Sequence, residues 1–232
     1  MNSLGGYLVT PEFASYQEGV SMENILSYAN RSKCKDKIVI LDCCRAGNFA
    51  VPEFSNDVSL LGDGLSVLTA CRADETAVEC NGRGIFTSLL IDALQGGATD
   101  LRGFVTPGSL YAYVDEALGA WDQRPVFKTN VSRFTSIRRI VPKVSCEMLR
   151  KLTEYFETPE SEHRLDPSYE FTSDKPNDER VAIFKILQKF ESIGLVVPVD
   201  EEHMYFAAMN SKSCRLTALG FQYWRLVKEN KI

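Results

Sequence analysis

The chain has 232 residues, 44% hydrophobic and 25% charged, with a formal net charge of −5. That length can bury one good core or two small ones, and no apolar run nears the roughly 20 residues that span a bilayer as a helix. The acidic balance excludes a broad nucleic-acid-binding face, and seven scattered cysteines without paired Cys-x-x-Cys elements read as free thiols of a reducing cytosol rather than as a zinc site.

The first residues, Met1 to Tyr7, have neither a basic start nor a long apolar core, so no signal peptide is expected and a cytoplasmic location is. Tyr7 to Thr10 reads as a short strand stopped by Pro11. Met22, Ile25, Leu26 and Ala29 share a helical face, with Ser21 as N-cap and Asn24 at N3. Ile38 to Leu41 is a brief apolar run of the kind buried on both faces of a parallel sheet. Residues 48–63, rich in Asn, Ser, Asp and Gly, read as a surface loop. Leu65 to Ala70 is a second buried strand. Phe86 to Leu94 reads as a helix stopped by Gly96 and Gly97, Thr106 and Pro107 open another, and Gln123 to Phe127 leads into an edge segment. Strands alternating with helices predict an α/β layered domain over residues 1–142.

After Pro142 the texture changes, and residues 143–232 read as a smaller α+β domain. Cys146 to Phe156 is a helix, followed by a polar linker through Glu179. Val181, Phe184, Leu187 and Phe190 form one stripe of an amphipathic helix ending at Gly194. Leu195 to Val199 and His203 to Ala208 read as a hairpin around Asp200, Glu201 and Glu202. Leu216-Thr217-Ala218-Leu219-Gly220 then opens a helix carrying Phe221, Trp224 and Val227. This succession resembles a winged-helix module. The region carries 13 Lys and Arg against 15 Asp and Glu, and an acidic wing tip is repelled by phosphate. No nucleic acid is therefore expected, and a protein partner is the role expected of this region.

The chemistry concentrates where the first buried strand ends. Asp42, Cys43 and Cys44 follow Leu41 directly, and in open α/β sheets ligands and reacting groups gather beyond the carboxyl ends of such strands. Cys44 there is placed as a nucleophile; the plain alternative is a buried structural thiol. Cys43, one residue away, is expected to face the core.

Asp42-Cys43-Cys44-Arg45-Ala46-Gly47 resembles the Asp-x-Cys-x-Ser/Ala-Gly signature of caspase-like cysteine peptidases, especially the metacaspase and bacterial branch. Ala70 to Glu79, followed by Gly82-Arg83-Gly84-Ile85-Phe86-Thr87, resembles the next core strand, substrate-side loop and Gly-x-Phe-Thr segment of the same family, and the likeness spans about residues 4–128. The resemblance implies a three-layer α/β sandwich, incomplete at its N-terminus. It also implies an endopeptidase whose nucleophile is Cys44, with the Cys44 N–H helping to form the oxyanion hole. A free thiol has a pKa of about 8.5, so an imidazole must withdraw its proton. In metacaspase-like members the acid matching Asp42 lines the pocket for the residue before the cut. A carboxylate there accepts Arg bidentately and is left unpaired by other side chains. The other reading of Asp42 is acceptance of backbone N–H groups of its own turn. Asp74 and Glu79, on the next substrate-side loop, would add negative field, or else are solvated surface acids.

The family's catalytic histidine belongs to a His-Gly pair upstream of the segment matched by residues 4–10. This chain has only His163 and His203, both C-terminal and neither followed by Gly. The expectation is therefore the nucleophile-bearing part of a larger protein, needing an N-terminal segment for its base and inactive alone. No cofactor, metal or membrane is expected; Asp57 and Asp63 are too few acids for a calcium site. Residues 46–71 contain no Lys or Arg, so self-cleavage in the loop where many relatives mature is not expected. The alternative is a pseudo-protease scaffold that acts by binding, and a more remote one is a transcription factor using the winged helix.

Overall fold

The computed structural model describes residues 6–9, 19–52, 58–75, 79–80, 83–119 and 123–232 as a mixed α/β chain with several small sheets. The chain divides into two compact units, residues 1–142 and residues 143–232.

In the first unit, β1 (Tyr7–Leu8) pairs antiparallel with β2 (Val20–Ser21), which runs directly into α1 (Met22–Arg31). Ser21 caps that helix by accepting the Asn24 N–H. Thr10 and Pro11, the expected end of the first strand, lie outside the described residues. The main sheet has the order β3 (Lys37–Leu41), β4 (Leu65–Thr69), β8 (Val126–Asn130). β3 runs parallel to β4 with Leu41 opposite Thr69, and β8 runs antiparallel with Val126 opposite Thr69. β4 is buried along its whole length, as a central strand covered on both faces must be. Of its two buried hydroxyls, Ser66 is met across the sheet by Thr129 at 2.9 Å and Thr69 donates to the Cys71 carbonyl at 3.2 Å.

Between β4 and β8 the chain forms a short ribbon of β5 (Glu79–Cys80) and β6 (Arg83–Gly84), then α2 (Ile85–Asp92), β7 (Phe104–Val105) and α3 (Pro107–Leu118). β9 (Arg138–Arg139) pairs with β7. The alternation within β3 and β4 sorts two cores. Val39, Leu41, Leu65 and Val67 pack with Met22 and Leu26 of α1. Ile38, Leu68 and Ala70 pack with Phe86 and Leu90 of α2 and Leu110 and Val114 of α3. Residues 48–63 are not simply a surface loop: Phe49 and Ala50 are fully buried in the first of these cores. Composition misleads there because Asn48, Asp63 and the glycines mask an aromatic anchor.

The second unit contains α4 (Cys146–Arg150), α5 (Leu152–Tyr155), β10 (Glu162–Arg164), α6 (Asp178–Ser192), β11 (Val196–Val199), α7 (Met204–Met209), β12 (Ser213–Leu216) and α8 (Ala218–Lys228). Its antiparallel sheet has the order β10-β12-β11. Phe184, Leu187 and Phe190 of α6 are buried as their spacing predicts. Two expectations are corrected. His203 to Ala208 is not a strand: Met204, Ala207 and Ala208 are buried at helical spacing, so the segment forms α7, and the partner of β11 is β12. Asp200, Glu201 and Glu202 therefore lead into a helix rather than cap a wing. The supposed linker before Glu179 is also structured, supplying β10 and the buried Leu165 and Tyr169.

Gly220 in α8 illustrates local necessity. A Cβ there would lie 2.0 Å from the Leu195 carbonyl oxygen, while Thr217 accepts the Gly220 N–H at 3.0 Å and donates to the Gly194 carbonyl at 2.6 Å. The Leu-Thr-x-x-Gly spacing is the signature of that contact.

Candidate active site

Because β3 and β4 are parallel, their carboxyl ends open at the same edge of the sheet, and the Ala70 N–H donates to the Leu41 carbonyl at 2.9 Å as the two loops depart. Residues 42–50 and 70–75 thus emerge side by side. Their backbones touch: a Cβ on Gly47 would come within 2.6 Å of the Ala73 nitrogen and 2.7 Å of the Arg72 carbonyl carbon. Only glycine fits between them.

The nucleophile candidate lies on the first loop. Cys44 is exposed, and the Ala46 N–H donates back to the Cys43 carbonyl at 3.3 Å to close the turn. Arg45 adopts a left-handed conformation, φ 60° and ψ 18°, a cost of about 1–2 kcal/mol for an L-residue. Ala46 to Asn48 then form one 3-10 turn. Among the described residues nothing accepts the Cys44 N–H. Cys43 instead packs partly buried against the α1-side core, and its carbonyl accepts the thiol of buried Cys71 at 3.3 Å. Burial, then the neighbouring Cys71, pushes the Cys43 thiol above its ordinary pKa, and burial raises that of Cys71.

Asp42 is exposed at the end of β3. Its Oδ2 accepts the Thr87 hydroxyl at 2.6 Å and lies 2.6 Å from the position a Cβ on Gly84 would take. Gly84 is the N-cap of α2 and Thr87 its third residue, so the carboxylate faces the positive end of a helix. Beside the two readings weighed for Asp42, a substrate pocket and the backbone of its own turn, one carboxylate oxygen takes a third partner, a side chain 45 residues away. Gly84-Ile85-Phe86-Thr87 now has a physical reading: glycine for the approach of Asp42, Phe86 for the core, Thr87 for the bond.

No family model and no curated protein matches this chain.

Asp74 is exposed in the loop after β4. Glu79 belongs to β5 and stands in register with Gly84, the residue against which Asp42 rests. The topology thus brings Asp42 and the backbone of Glu79 to one neighbourhood at the sheet edge, while Asp74 occupies the loop beside Gly47. Asp57 lies outside the described residues, and among the described residues no three metal-ligating side chains cluster. No helix among them is long and apolar enough to cross a membrane.

Two supporting residues escape sequence reasoning. Glu75 fixes the second loop: its Oε2 accepts the backbone N–H of Arg72 at 3.1 Å and of Arg124 at 2.9 Å, and its carbonyl accepts the Arg45 N–H at 3.2 Å. It lies between Ala70 and Glu79, where nothing in the sequence separates it from its acidic neighbour Asp74. Lys128, in β8, donates its ammonium to the carbonyls of Gly47 and Phe49, both at 2.7 Å, and so braces the turn that follows Cys44. Burial lowers its pKa to about 8. A lysine inside the pattern Val126-Phe127-Lys128-Thr129 reads only as the polar side of a strand.

The first unit contains no histidine. His163, in the second unit, is engaged there, with Nδ1 3.0 Å from the Tyr155 carbonyl and Nε2 3.2 Å from the Tyr169 hydroxyl. His203 is exposed and stacks on Phe206. Chemically, this edge offers an accessible thiol beside a carboxylate with no imidazole supplied from its own unit.

Proposed function

We propose that this chain is the nucleophile-bearing part of a caspase-like cysteine endopeptidase that cuts after Arg or Lys. The observation that carries the reading is the accessible Cys44 thiol at the carboxyl edge of a parallel strand pair, two residues beyond Asp42. Helices packed against both faces of that sheet support a three-layer sandwich. In the proposed reaction the thiolate attacks the scissile carbonyl, the Cys44 N–H steadies the oxyanion, and the thioester is then hydrolysed. Asp42 has one carboxylate oxygen engaged by Thr87, leaving the other to pair with a basic side chain of the substrate. The base comes from a segment outside residues 1–232, because the first unit has no imidazole. That same lack favours the second reading, a scaffold that binds peptide without cutting it. The second unit, winged-helix-like in this proposal, contacts a protein partner.

Peptidyl chloromethyl ketones ending in Arg or in Asp test the reading on the chain as it stands. The expected result is alkylation of Cys44, about tenfold or more faster by the Arg reagent, and none in Cys44→Ala. Equal rates, or preference for Asp, overturn the pocket; labelling that survives Cys44→Ala overturns the nucleophile. An in-frame upstream strand followed by His-Gly in the gene separates enzyme from scaffold.

A further inference from the structure

Lys128 lines a cleft of about 450 Å³ together with Arg72, Asn48, Ser59, Val51 and Val126, a volume in the range of about 300–1,000 Å³ that holds small organic ligands. The cleft combines two cationic side chains, an amide and a hydroxyl with an aliphatic wall. Lys128 has an unusual set of partners. Its nitrogen is half-buried against two neutral carbonyls, those of Gly47 and Phe49, and among the described residues no carboxylate comes within 4.0 Å of it. Arg72 is held only loosely, its Nε 3.9 Å from Glu75, with most of its side chain in solvent.

A tetrahedral nitrogen bonded to Cε and donating to two carbonyls has one position left. In the ammonium that position carries the third proton; in the free amine it carries the lone pair, while both remaining N–H bonds are already placed. The two carbonyls therefore hold the amine in the arrangement that a nucleophile requires.

We infer that Lys128 is a covalent capture site for small anionic aldehydes and ketones, with Arg72 holding the anionic group. The lone pair of Nζ attacks the carbonyl carbon, and the carbonyl π pair moves to oxygen, which takes up a proton. The resulting carbinolamine loses water as nitrogen gives up its second proton, leaving a C=N bond. One water is released and nothing is oxidised or reduced. The imine nitrogen retains at most one N–H, so at least one of the two turn carbonyls loses its donor. Lysines of this kind are poised near neutral pH: with a pKa of about 8, about a fifth of the side chain is free amine at pH 7.4, against about 0.1% for an ordinary lysine. None of this depends on the endopeptidase reading.

Glyoxylate, the smallest anionic aldehyde, serves as the probe, with propionaldehyde as its neutral counterpart. The whole chain is treated at pH 7.4 with cyanoborohydride to fix the imine, and labelled lysines are quantified by peptide mass mapping. Lys128 should be labelled by glyoxylate at least tenfold faster than the other lysines. Arg72→Ala should slow glyoxylate labelling of Lys128 about tenfold while leaving propionaldehyde labelling within twofold. Labelling of Lys128 at the rate of the other lysines overturns the capture site. An unchanged glyoxylate rate in Arg72→Ala, or equal slowing of both aldehydes, overturns the anionic specificity.

Discussion

Thr87 donates its hydroxyl to Asp42 Oδ2 at 2.6 Å, tying the first turn of α2 to the residue that ends β3. The bond fixes one carboxylate oxygen next to Gly84 and leaves the acid otherwise exposed. Thr87→Val should cost about 0.5–1.5 kcal/mol, the usual worth of one such hydrogen bond, measured by urea unfolding. Asp42→Asn keeps an acceptor for Thr87 but removes the charge. It should therefore keep nearly full stability and lower the Arg-over-Asp labelling ratio at Cys44 about tenfold. An unchanged ratio removes Asp42 from specificity.

Gly47 marks where the two loops meet, with no room for a methyl group against the Arg72 and Ala73 backbone. Gly47→Ala should cost about 1–3 kcal/mol as one loop is forced from the other and should alter the alkylation rate of Cys44. Ala at Gly6, where nothing lies within 4 Å, meets only the φ penalty. Equal costs at the two positions would show that the close approach is absent in solution.

The thiols should separate by accessibility. Cys34, Cys44 and Cys146 are exposed, whereas Cys71 and Cys214 are buried. Iodoacetamide at pH 8 should modify the first three within minutes and spare Cys71 and Cys214 until denaturant is added. Mass mapping of the peptides checks this directly, and early modification of Cys71 contradicts the packing described around Cys43.

Lys128 and Cys214 should respond to alkaline pH with opposite sign. Lys128 has its pKa lowered to about 8 by burial, against about 10.4 in an unfolded chain. Between these values the unfolded state binds more protons, so this group's contribution to stability rises with pH. Cys214 is pushed up to about 12 by burial; its contribution is fully present below about 9, the unfolded value, and is lost as pH climbs toward 12. Cys43 and Cys71, also raised by burial, act against Lys128 within the first unit. The measurement is therefore the difference between the parent chain and Lys128→Met from pH 7 to 10.5. That difference should widen with pH in favour of the parent. Cys214→Ala should flatten the alkaline loss of the second unit.

Much of the first unit was legible because its signals were local and redundant. Ser21 before Met22, Ile25 and Leu26 marked both a cap and a buried face, and the β3 and β4 runs were short, apolar and interrupted by polar turns. Of the two, only β4 is buried on both faces, whereas β3 lies at the sheet edge with Ile40 exposed. The cysteine pair was legible too: Cys43 faces the core and Cys44 faces solvent. What escaped depends on partners distant in sequence. Nothing near Lys128 announces that its nitrogen will meet carbonyls about 80 positions earlier, and nothing in Asp74-Glu75 tells which acid holds the loop. In the second unit the failure was of period. Met204, Ala207 and Ala208 admit a strand reading until burial shows a helix, and β10 is so short and polar that only its pairing with β12 reveals it.

The indole N–H of Trp224, in α8, donates to the Phe156 carbonyl just past α5 at 2.8 Å. The second unit is thus stitched shut near its own two ends. Shortened versions should not shed stability gradually as residues are trimmed. Removing either the opening helices or the closing one strands the other, and expression should fail at one sharp length.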